Sequence, residues 1–297
     1  MLFVNIILPV FLIIFCGFVA EKKSGLDFRT LTNCSLYIFS PALVFSALIR
    51  QELNLDLTRD LFFFMVLYTA ILFFLTKGLG SILRFNHEEK GALTLTTVVM
   101  NVGNFGLPLA YFAFGEKGLD VSILTFVLFN IPLGTLAIVV AQGGQIPIKD
   151  ALANTFKIPI FHGVALAFLL KALSISIPSF ILRPIDLLGQ AAIPLMLILL
   201  GMQLARTKLE AQWGFMTVAS IVRLCIAPMI AWGVAIFLNL EGTTRNVVVL
   251  QTSTPSAVLP LLYALRFGMR PDLVAGTIFS TTLFSALSLT IILYLLQ

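Results

Sequence analysis

The sequence predicts an all-α integral membrane protein of ten transmembrane helices. They form a five-plus-five inverted-topology repeat in which spans 4 and 9 are broken near their middles. Three observations carry this prediction. Charged residues are 11% of the 297-residue chain and apolar residues 59%, with a mean hydropathy of +1.03, against roughly 25% charged residues in soluble domains. Apolar runs of about 20 residues, the length that crosses a bilayer, recur ten times with mostly short loops between them. Two of these runs are interrupted by helix breakers at corresponding places in the two halves.

The first run, 4–20, has no Lys or Arg before it and Lys22 and Lys23 directly after it. That order argues against a signal peptide and places the N-terminus outside. Runs 31–49, with Pro41, and 61–83 follow. The fourth, 92–114, contains Asn101, Val102, Gly103, Asn104, Phe105, Gly106, Leu107 and Pro108, and cannot stay a regular helix. Run 119–141 carries Asn130 and Pro132; run 158–176 begins at Pro159 and holds His162; run 187–204 holds Pro194 and Gly201; run 214–238 holds Arg223 and Pro228. The ninth, 246–265, breaks at Thr252, Ser253, Thr254, Pro255 and Ser256, with Pro260 beyond, and the tenth, 273–296, carries Ser280, Thr281 and Thr282.

The proline punctuation repeats. Pro9 and Pro159, Pro41 and Pro194, and Pro108 and Pro260 are each about 150 residues apart, which divides the chain into repeats 1–145 and 146–297. Five spans are an odd number, so the second repeat enters the membrane inverted, and the broken spans cross near the midplane. Sorting the 19 basic residues by alternate loops puts twelve on one side and six on the other, with Arg223 inside a span. The richer side is cytoplasmic, and both termini lie outside. The net charge of +5 follows from this bias and calls for no nucleic-acid partner.

Cys16, Cys34 and Cys225 form neither a CxxC pair nor an even disulfide set and are expected as small core hydrophobes. The two histidines are far apart, and HExxH, GxSxG and GxxxxGK[ST] are absent. Metal hydrolysis, serine hydrolysis and nucleotide-driven pumping therefore lack their usual signatures, and no cofactor is expected.

Met100 to Pro108, with the second break and the run Gln251 to Leu273, resembles the auxin efflux carrier family, including its plant PIN-type and bacterial malate-permease-like members, within the bile acid/auxin transporter-like fold. Arg223 with Pro228, and Gly201, also stand where that family tends to carry Arg, Pro and Gly. The resemblance implies a scaffold part and a transport part that move relative to each other, export or exchange of organic anions, and a homodimer. Bacterial relatives of this kind are usually assigned to malate, malonate or similar carboxylates. The short loop between the fifth and sixth spans suits a bacterial inner membrane.

The breaks themselves define the expected chemistry. A broken helix offers unpaired N–H groups at the start of its second half and unpaired carbonyls at the end of its first, so an anion meets the former and a cation the latter. Asn101 matches the family's crossover Asn and, with Thr254 and Ser256, is expected to line a carboxylate pocket. Asn104, Gly103, Gly106, Pro108, Thr252, Ser253 and Pro255 complete it. The other reading is that these groups only satisfy freed backbone atoms. Arg223 has no Asp or Glu within any span to neutralise it, and a central Arg costs roughly 2.5–3.5 kcal/mol on insertion scales. Either the anionic substrate, or carbonyls freed at the breaks, or snorkelling must compensate.

Energy coupling stays open between Na⁺, H⁺ and uniport. No carboxylate lies at depth to titrate, and the plant type of proton coupling needs an acid that the third run, FFFMVLYTAILFF at its centre, does not supply. His162, Ser280 and Thr281 are the candidates for coupling. Asn130 and the Ser280–Thr282 hydroxyls either flank the crossing or serve interhelical hydrogen bonds. A secondary carrier accounts for the paired breaks; a channel or a membrane ligand sensor on the same fold is the alternative, and an intramembrane enzyme lacks a catalytic pair.

Overall fold

The computed structural model describes residues 2–51, 54–141, 149, 156–207 and 212–296. Every regular element among them is helical: α1 (Phe3–Ser24), α2 (Phe28–Arg50), α3 (Leu55–Ile82), α4 (His87–Val98), α5 (Leu107–Ala141), α6 (Pro159–Ala172), α7 (Ser179–Arg206), α8 (Trp213–Phe237), α9 (Gly242–Thr252), α10 (Leu259–Phe267) and α11 (Pro271–Leu295). Six of them, α1, α2, α3, α7, α8 and α11, are long and apolar enough to cross a membrane, as an integral membrane protein requires. The fourth and ninth apolar runs are each split into two short helices, α4 with the start of α5 and α9 with α10. The fourth and fifth runs are joined within α5, where Gly115 (φ 65°, ψ −155°) turns the chain. The boundary expected between 145 and 146 lies outside the described residues.

Proline shapes these helices. Single π turns occupy Phe3–Ile7, Ser35–Phe39, Val102–Gly106 and Val222–Ile226, and each is followed two residues later by a proline, at 9, 41, 108 and 228. The ring of an internal proline collides with the carbonyl four residues back and removes one ladder bond; a widened turn relieves both. Pro159 and Pro260 instead begin α6 and α10, where no N–H is needed. Polar caps mark other starts: Asp27 for α2, Asn54 for α3, and for α4 a capping box in which Asn86 and Glu89 exchange backbone bonds of 2.9 Å.

α1 packs along α7, and two glycines permit it. A Cβ on Gly17 would collide with the Ile198 carbonyl, and one on Gly201 with that of Ile14, the small-residue device for close helix approach in membranes. α6 packs on α2. One core cluster gathers Phe64 and Tyr68 from α3, Phe105 from the π turn before α5 and Phe129 from α5 with residues of α1, α8, α9 and α11; another gathers Leu93, Leu95, Phe215, Ala264 and Ile278 from α4, α8, α10 and α11. The first break divides between them, with Met100 and Val102 in one and Val99 in the other. Cys16 and Cys225 lie on the outer surface and Cys34 is half-buried, so the expectation of three core thiols is corrected: an apolar run does not distinguish its lipid face from its protein face.

Candidate functional site

The two breaks meet. α4 ends at Val98, where Val99 turns to extended backbone, and α9 ends at Thr252. The buried non-helical stretches then run antiparallel, Met100 opposite Ser256. The Asn101 N–H donates to the Pro255 carbonyl and the Ala257 N–H to the Val99 carbonyl, each at 2.9 Å. Backbone groups stripped of helical partners at depth thus satisfy one another. The two glycines of the first break serve close approach: a Cβ on Gly103 would stand 2.8 Å from the Phe126 ring, and one on Gly106 2.9 Å from Gln251 Cγ.

Most hydroxyls near the breaks are committed to backbone carbonyls. Thr252 Oγ1 donates to Val248 O (2.6 Å), Ser253 Oγ to Val249 O (2.6 Å) and Thr254 Oγ1 to Gln251 O (2.7 Å), all within their own chain turn. Ser256 Oγ reaches across to Thr96 O at 2.5 Å, and its N–H donates to Thr281 Oγ1 at 3.2 Å. Thr281 therefore belongs to the crossing. Ser280 sits one step out, exchanging a 3.0 Å bond with Ser220 of α8. Asn130 donates to Phe126 O of its own helix at 2.7 Å, so its amide is not brought to the breaks, although Phe126 itself touches Gly103. His162 is exposed on α6, which packs on α2 rather than on the broken helices.

Buried hydrogen-bonding atoms without a partner occur at the first break, as they do at Arg223 Nε and at several side chains elsewhere. Asn101 is 6% exposed and its Nδ2 donor is buried without a partner. Asn104, in the π turn, is half-buried; that turn leads into α5, and the first N–H groups of a helical start have no carbonyl one turn behind them within the helix. Buried atoms without partners also include Ser122 Oγ and Gln251 Oε1. Gln251 Nε2 donates to Val102 O at 3.0 Å and Ser122 O at 3.1 Å, tying α9 to the π turn and to α5. The sequence reading passed over Gln251 and Ser122; a primary amide at the edge of a break inside an apolar run is the signal that could have found the first.

Arg223 is fully buried. Its Nη1 donates to Thr97 O at 2.8 Å, near the end of α4, and its Nη2 to Thr252 O, at the end of α9, and to the Tyr68 hydroxyl at 3.4 Å. Tyr68 in turn donates to Thr252 O at 3.2 Å. The guanidinium thus bridges the C-terminal ends of both broken helices, on the face where carbonyls are unpaired. Tyr68, another residue passed over in the sequence, stands in FFFMVLYTAILFF as the one side chain of that stretch with a phenolic hydroxyl.

The paired breaks thus carry amide-rich helix starts and carbonyl-rich helix ends, inside a chain with several apolar helices long enough to cross a membrane. The comparisons agree. A family model described as membrane transport protein matches residues 2–150 and 146–293, and the chain belongs to that family, the auxin efflux carriers. It is 30% identical over 270 residues to an uncharacterized transporter of Methanocaldococcus jannaschii, covering 87% of this chain and 86% of the relative. It is also 30% identical over 316 residues to a protein of Rhizobium meliloti named provisionally as a malonate transporter, covering 99% of this chain and 95% of the relative. A rice protein, named provisionally auxin efflux carrier component 1c, is 26% identical over 121 residues, 40% of this chain and 20% of its own.

Proposed function

We propose that this chain is a secondary carrier of organic anions that works by alternating access across the plasma membrane, with its substrate carboxylate held at the first break. The observation that carries the reading is the buried, unpartnered Nδ2 of Asn101, the residue that caps the π turn Val102–Gly106 leading into α5. The side-chain donor thus stands at the positive end of a helical start, whose first amides are donors too. A carboxylate accepts from both. The committed hydroxyls of Thr252, Ser253 and Thr254 then hold the second break in shape, while Ser256 and Thr281 join it to α4 and α11. The name borne by the Rhizobium relative supports a small dicarboxylate, and that of the rice relative an auxin.

In this reading the halves 1–145 and 146–297 are the two inverted five-span repeats, the split fourth and ninth runs are the crossover helices, both termini face outward, and the carrier is a homodimer. Supporting the repeat are the paired breaks and the proline spacing. Uptake of labelled malate, malonate, succinate and indole acetate into proteoliposomes tests the function. Saturable uptake supports a carrier; linear flux without saturation points to a channel, and binding without flux to a sensor. Removing the Asn101 donor deletes one hydrogen bond to a charged group, about 1.5–3 kcal/mol, so Asn101→Ala should weaken half-saturation roughly ten- to a hundredfold.

A further inference from the structure

We propose that Arg223 is the carrier's resident cation. The converging C-terminal ends of α4 and α9 form a site for a small monovalent cation, and the guanidinium fills it, so that no inorganic ion is needed there. Each helix C-terminus carries about half a negative elementary charge. Two of them meeting amount to about one, the charge that a single guanidinium cancels. The ligands are the kind that hard cations take: the carbonyls of Thr97 and Thr252 and, at the edge, the Tyr68 hydroxyl. Arg223 makes no ion pair with a carboxylate; the ion pairs among the described residues involve Arg50, Arg59, Arg206 and Arg270. Its backbone sits in the π turn Val222–Ile226 set by Pro228, and its fork geometry satisfies carbonyls from two helices at once.

A cation bonded into the protein does not leave with substrate. The crossing therefore keeps the same charge in every step of the cycle, and flux should not follow a gradient of Na⁺ at this place. The flux arm of the test rests on the carrier reading above; the unfolding arm does not, so the two can fail separately.

The experiment compares purified wild type, Arg223→Ala and Arg223→Met in Na⁺, K⁺, choline and guanidinium at about 20–50 mM, far below the molar concentrations that denature. Thermal unfolding is followed in each, and malonate counterflow in parallel. Wild type should unfold at one temperature in Na⁺, K⁺ and choline. Both variants should unfold at a temperature lower by roughly 5 °C or more; Arg223→Ala, which empties the site, should regain at least about half of that loss in guanidinium or Na⁺ but not in choline, by linkage to a reopened site, whereas Arg223→Met, whose side chain fills it, should regain none. Saturable dependence of wild-type unfolding on Na⁺ overturns the proposal, as does a folded Arg223→Ala protein that responds to no cation. If Arg223→Ala yields no folded protein, the wild-type series decides.

Discussion

Replacing Gln251 by Met keeps the length of the side chain and removes two hydrogen bonds in one step. In the native protein Nε2 spans 3.0 Å to Val102 O and 3.1 Å to Ser122 O, and the side chain is 1% exposed. Hydrogen bonds between membrane helices average about 0.6 kcal/mol, which sets a floor of roughly 1.2 kcal/mol for the pair. Ser122 O lies inside α5 and keeps its ladder bond, whereas Val102 O belongs to the π turn at the break. An unsatisfied buried carbonyl costs about 1–3 kcal/mol, so roughly 3 kcal/mol is the ceiling. At about 2–4 °C per kcal/mol for a chain approaching this size, Gln251→Met should lower the unfolding temperature in detergent by roughly 2–12 °C. Gln251→Ala adds a cavity beside Gly106 and should lose more. Because the tie holds the π turn against α9, half-saturation for substrate should rise in both variants. A Met variant that unfolds within about 1 °C of wild type and transports with unchanged half-saturation would refute the assignment of Gln251 as the strut of the crossing.

Further expectations concern the scaffold. Gly201→Ala places a Cβ against the Ile14 carbonyl and should cost about 1–3 kcal/mol by overpacking, read as a lower unfolding temperature; Gly233→Ala, with open space around it, should be neutral or slightly stabilising. The Asp27 carboxyl, outside the spans, is held below its ordinary 3.8, first by the Thr30 hydroxyl and then by backbone bonds. A folded-state value below the unfolded one means that the cap's stabilisation is fully present above the unfolded pKa and is lost as pH falls through the lower, folded one. Hydrogen-exchange protection at the start of α2, measured against the intrinsic rate at each pH, should therefore fall in acid for wild type and stay level for Asp27→Asn, which caps without titrating; equal loss of protection in both would exclude Asp27 as the cause.

How far the site could be read from the sequence depends on what makes each part. Glycine and proline announce themselves locally, so the breaks around Gly103, Gly106 and Pro255 were legible as interruptions. Their pairing, Asn101 N–H to Pro255 O, joins residues 154 positions apart and has no local signature. The prolines at 9, 41, 108 and 228 marked kinks, but not that each kink takes the form of a π turn. Arg223 was conspicuous because a charge at depth needs compensation; which carbonyls supply it depends on where two other helices end. Asn130 shows the opposite case: an amide in a span satisfied by its own helix one turn back looks the same in sequence as one aimed at a ligand. Gln251 and Tyr68 were passed over because each acts through partners more than 100 residues away.

The central claim is that an anion is carried past Asn101. Its most direct test is counterflow: proteoliposomes loaded with unlabelled malonate, malate, succinate or indole acetate are diluted into trace label, with wild type beside Asn101→Ala of matched folding and insertion. The account predicts transient, saturable accumulation of label with at least one of these anions in wild type, and its loss at the same concentration in the variant. Counterflow that is undiminished in Asn101→Ala would contradict the placement of the site, and absence of counterflow for every anion in folded wild type would contradict the carrier itself.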